Sequence, residues 1–103
     1  MKNLFYLMFH AKPQKTNPEA SEHGGAYVNC WIDRPTLAEA ERAARELIAK
    51  DCWVADKLDD ARKVTRSDYG DNPEGLKHFD QALIDREVLV FHTYPIIDEP
   101  DED

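Results

Sequence analysis

Cysteine is scarce in this chain: only Cys30 and Cys52 occur, and no C-x-x-C. That excludes a disulfide framework and a dithiol redox motif, and in a reducing compartment both read as buried thiols. No apolar run reaches the length of a membrane span. Met1-Lys2-Asn3 leads into an apolar segment broken by His10 and Lys12, with no small-residue cleavage site. A signal peptide is therefore not expected, and the default location is the cytoplasm. Phosphate-loop, dinucleotide, nucleophile-elbow and H-E-x-x-H patterns are all missing. Bases are few: 13 Lys and Arg stand against 21 Asp and Glu, for a net charge of −8. Such a balance repels phosphate backbones and argues against nucleic-acid binding.

What the chain does contain is a domain's worth of core. It has 103 residues, 42% hydrophobic and 33% charged, which fits one folded domain rather than a disordered segment. Much of the acidity is terminal. Asp98, Glu99, Asp101, Glu102 and Asp103 leave sixteen acids against thirteen bases in the rest. The expected organisation is a single α+β domain over 1–97 and an acidic, disordered tail over 98–103. A tail that docks on a basic partner, as in an inhibitor or immunity-type module, is the alternative.

Hydrophobic pattern places the elements. Residues 3–10 are rich in β-formers and apolar on both faces, and predict a strand. Residues 11–25, with Pro13, Pro18, Gly24 and Gly25, predict a long loop in which the glycines make a turn. Residues 26–33 alternate and predict a second strand. Thr36 with Glu39 fits a capping box that opens a helix with Leu37, Ala40, Ala44, Leu47 and Ile48 on one side. Cys52 to Leu58 and Ala61 to Arg66 read as a hairpin turned by Asp59-Asp60, or as one bent strand. Asn72 and Pro73 open a second helix with Leu76, Phe79, Ala82 and Leu83 on its apolar side. Val88 to Tyr94 is the last strand. This order predicts a ferredoxin-like, split βαβ antiparallel sheet with both helices on one face and an extra N-terminal strand. A ββαβαβ arrangement without the central hairpin is the alternative.

A pattern, Leu-x-Phe-His-x-x-Pro, occurs twice, at Leu7–Pro13 and Leu89–Pro95. It predicts that His10 and His92 share a face. With helices on one side, alternation puts Phe5, Leu7, Phe9, Ala26, Val28, Cys30, Ile32, Cys52, Val54, Leu89 and Phe91 beneath them. The opposite face then carries Tyr6, Met8, His10, Tyr27, Asn29, Trp31, Trp53, Ala55, Lys57, Val88, Val90, His92 and Tyr94. An open sheet should be polar there, so this aromatic face predicts an interface or a ligand site.

The leading functional expectation is a small binding domain that forms a homo-oligomer or takes a protein partner. Its surface would be Tyr6, Met8, Tyr27, Asn29, Trp31, Trp53, Val90 and Tyr94. The alternative is a small-molecule binder or enzyme with a His/Tyr pocket on the same face. There, His10 and His92 are the catalytic candidates and a tyrosine would be the hydrogen-bond donor. No cofactor is implied. No metal site is expected either, since His10, His23, His78, His92, Cys30 and Cys52 lack zinc-site spacing.

Overall fold

The structure, a computed structural model, describes residues 3–18, 20 and 23–95. The acidic segment 98–103 lies outside the described residues. Among those described, the chain forms β1 (Leu4–Pro13), β2 (His23–Asp33), α1 (Leu37–Lys50), β3 (Trp53–Lys63), a 3-10 turn (Arg66–Tyr69), α2 (Pro73–Asp85) and β4 (Glu87–Pro95). The strands make one antiparallel sheet in the order β3-β1-β2-β4. The molecule is thus α+β, and none of the helices is long and apolar enough to cross a membrane.

The ferredoxin-like expectation fails on topology. The N-terminal strand is not an addition at the side of a sheet; β1 is an inner strand, paired on both flanks. Its sequence explains this, because a strand apolar on both faces is buried only between neighbours and layers. The expected hairpin at Asp59-Asp60 is absent as well. Trp53 to Lys63 is one strand, and register shifts opposite Met8/Phe9 and His10/Ala11 absorb the irregular residues. The element order is therefore the ββαβαβ alternative.

The helices also do not share a face. α1 packs Ala40, Ala44 and Ile48 against Phe5, Leu7, Phe9, Val28, Cys30 and Ile32. α2 packs Phe79 and Ala82 on the other side, against Leu4, Trp31, Val64 and Tyr69, with Tyr6, Val88 and Val90 around them. The apolar second face is in large part a second core. Alternation identified its residues but not the layer that covers them.

Local signals behave as their chemistry dictates. The Glu39 N–H donates to Thr36 Oγ1 over 3.2 Å at the start of α1, and the Gly75 N–H donates to Asn72 Oδ1 over 3.0 Å at the start of α2. Arg86 ends α2 in the left-handed region, at φ 71°, with its N–H on the Ala82 carbonyl at 2.8 Å.

The β3 bulge opposite His10/Ala11 exchanges its faces between Lys57 and the Trp53 end. Trp53, expected on the second face, belongs to the α1 core and is 7% exposed. Its ring meets Phe91 at 6.0 Å between centroids. Ala11 and Ala26, paired in register on the two strands between, leave room for the indole to reach across. Ala55 turns with it. Val54, expected in the core, is 49% exposed. Gly24 and Gly25 form no turn; both lie in β2.

Candidate functional site

The repeated pattern is in register. Leu7, Cys30 and Leu89 lie in one row; Phe9, Val28 and Phe91 in another; His10, Tyr27 and His92 in a third. β1 and β4 both run antiparallel to β2, so they are parallel to each other with β2 between. The two histidines share a face, as expected, but Tyr27 separates them and strand spacing keeps their backbones about 10 Å apart.

The second face has two halves. At one end, α2 and the 3-10 turn cover Tyr6 and Trp31. At the other, His10, Tyr27 and Tyr94 form a cluster of three rings with centroids 5.1–5.9 Å apart. His10 Nε2 and the Tyr94 hydroxyl share a hydrogen bond of 2.5 Å. Gly25 makes this possible, because a Cβ there would strike the Tyr94 phenol. Tyr27 remains 46% exposed.

Between the start of α2 and the sheet lies a cleft of about 330 Å³. Its wall is built from Tyr6, Asn29, Trp31, Val90 and His92 on the sheet, Arg62 on β3, Tyr69 on the 3-10 turn, and Asn72, Glu74, Gly75 and His78 at the start of α2. The aromatic floor is fixed by its own hydrogen bonds. The Tyr6 hydroxyl donates to Asn29 Oδ1 over 2.7 Å, and the Trp31 indole N–H donates to the Tyr69 hydroxyl oxygen over 2.8 Å. His78 stacks on Trp31 with centroids 4.9 Å apart. The Arg62 guanidinium lies over the Tyr6 ring at 5.4 Å.

These contacts set the polarity of the cleft. Asn29 accepts from Tyr6 through its oxygen, which leaves its amide N–H groups as the remaining donors. Tyr69 accepts the indole proton through its oxygen, so its own O–H is available to donate. Burial raises the Tyr69 phenol above its ordinary range, with indole donation opposing. Burial and the nearby Asp60 carboxylate raise Tyr6 in the same direction. Both phenols stay protonated at neutral pH. The cleft presents hydroxyl, amide and guanidinium donors, with Glu74 as the one carboxylate among the described residues of its wall.

Of the residues expected on this face, Tyr6, Asn29, Trp31, Val90 and His92 line the cleft. His10, Tyr27 and Tyr94 cluster beside it, Met8 sits between Asp60 and Asn29 in register, and Trp53 is in the other core. His10 is held by a tyrosine rather than a carboxylate. Cys30 faces α1, away from both histidines, and burial pushes its thiol up to about 12. Among the described residues, no three His, Cys, Asp or Glu side chains form a group that could hold a metal ion.

Sequence reasoning missed Tyr69 and Arg62 and gave no role to His78. One signal was present: Thr65-x-x-Asp68 is a capping box that folds the 3-10 turn and presents Tyr69. Arg62 was hidden by the bulges, which decide the face it takes. Comparison with protein-family models, curated proteins and solved structures gives no match.

Proposed function

We propose that the protein binds a small aromatic carboxylate or related acceptor-rich metabolite in the cleft between α2 and the sheet. One observation carries the reading: Arg62, Asn29 and Tyr69 all line the cleft around an aromatic floor, Asn29 and Tyr69 oriented by hydrogen bonds from Tyr6 and Trp31 and Arg62 resting over the Tyr6 ring. The cleft is concave and more polar than the mostly apolar pockets that small ligands usually occupy, which suits a polar, acceptor-rich ligand. The volume is at the small end of that range and suits a single-ring or two-ring compound. Binding rather than catalysis is the activity proposed, with His78 and His92 both in the wall of the cleft.

Trp31 fluorescence tests this in a Trp53→Phe background. Titration with benzoate, salicylate and indole-carboxylate probes is expected to give saturable quenching. Arg62→Met should weaken it at least tenfold, the scale of a lost charge-assisted hydrogen bond. Absence of saturable quenching with every probe would overturn the proposal.

The interaction-module reading keeps one support, the cluster of exposed Tyr27 with the half-buried His10 and Tyr94. It loses two of its anchors, since Trp31 at 5% and Trp53 at 7% exposure are buried within one chain. The inhibitor reading predicts that deleting 98–103 lowers affinity for a basic partner; an unchanged affinity would count against it.

A further inference from the structure

The two edges of the sheet are built differently. β3 carries two register shifts and the charges Asp56, Lys57, Asp59, Asp60, Arg62 and Lys63. Arg45 also donates to its Ala55 carbonyl over 3.1 Å. Bulges and edge charges are the usual devices that stop a strand from pairing further. β4 has neither in its middle. From Val88 to Pro95 it holds no Asp, Glu, Lys or Arg, and its pairing with β2 is regular from Gly25 to Ile32.

β4 also repeats the Leu-x-Phe-His pattern of β1, the strand that is flanked on both sides. In β1, Leu7 and Phe9 are 0% exposed. Their counterparts in the same rows, Leu89 and Phe91, are only half-buried, because β4 has one neighbour. An inner-strand sequence stands at an edge.

We propose that β4 pairs with β4 of a second copy of this chain, antiparallel and centred on Phe91, to make a continuous eight-stranded sheet. The strand is self-complementary in that register. Phe91 meets its own equivalent, Val90 lies opposite His92, Leu89 opposite Thr93, and Val88 opposite Tyr94. Glu87, the single carboxylate of the strand, falls opposite Pro95 and is already paired with Arg34 at 3.2 Å. No like charges face each other, the condition that cross-strand pairing requires. The twofold axis makes the contact closed, so it yields a dimer rather than a fibre.

Sedimentation of the full chain from about 1 µM to about 1 mM brackets the affinities expected of such an edge contact. The expected result is a species of twice the 11.9 kDa chain mass. Placement is read from a nitroxide on Thr93→Cys in a Cys52→Ser background. Thr93 is exposed, and the register puts the two labelled backbones about 15 Å apart, so dipolar broadening should rise with the dimer fraction. Val90→Lys sets an ammonium against His92 of the partner subunit and should weaken the dimer at least tenfold, with the circular dichroism of the fold retained. A monomer at every concentration overturns the proposal, and so does a dimer whose labels show no coupling. If Val90→Lys does not fold, the label on Thr93 still decides.

Discussion

Gly75 is a residue whose identity the cleft requires. A Cβ there would lie 2.6 Å from Tyr69 Cδ1 and 2.8 Å from Asn72 Nδ2, against both the ring that lines the cleft and the side chain that caps α2. Gly75→Ala is therefore expected to cost about 1–3 kcal/mol in urea unfolding, the usual scale of overpacking, although alanine is the better helix former. A stability equal to or above that of the parent would contradict this. Cys30 gives a second test. Its thiol, and the Tyr6 and Tyr69 phenols, hold their protons more tightly in the folded chain than in the unfolded one. The stabilisation they supply is complete below their unfolded values, 9.0 for the thiol and 10.0 for the phenols, and is lost as pH rises toward the folded ones. Unfolding free energy should decline from about pH 9 upward, and less steeply in Cys30→Ala. A parent and variant with the same alkaline profile would show that this thiol has no part in it. At this scale the sequence was informative where period-2 alternation is clean, as for Tyr6, Asn29 and Trp31. It misled at Trp53, because each inserted residue in β3 reverses the faces.

The elements were the most legible level. Thr36 and Asn72 marked both helix starts because their side chains satisfy backbone donors that no other group reaches. Helix exits were harder to read, since neither uses glycine. Cys52 follows α1 at φ 67° and Arg86 follows α2 at φ 71°, a conformation that costs an L-residue about 1–2 kcal/mol. Arg86→Gly is expected to stabilise the chain by about 0.5–1 kcal/mol, less than that strain because glycine is more flexible when unfolded. Thermal unfolding checks it, and a lower melting temperature would mean that the Arg86 contact with the Asp33 carbonyl, 3.4 Å long, outweighs the strain. Bulges escaped sequence reading for a different reason. They answer to the partner strand, and a single segment such as Trp53–Lys63 carries no record of where β1 will pair with it.

At the scale of the molecule, the class was readable and the layering was not. Composition and period fix α+β, whereas an apolar second face looks the same whether a helix, a ligand or another copy covers it. Here α2 covers half, and the sheet becomes a partition between two cores of unequal size. The α1 side buries twelve residues and the α2 side six, among the described residues. Native-state hydrogen exchange should therefore separate the helices, with α2 amides exchanging through a smaller opening than α1 amides, which wait for global unfolding. Identical opening energies for both helices would show a single cooperative unit. The partition has a consequence for any compound held in the cleft. It would touch the smaller core and, through Tyr6, Asn29 and Trp31, the wall shared with the larger one. Occupancy would then slow α2 opening first and raise global stability by the same linkage, so the protection of one helix would serve as a gauge of the ligand's concentration.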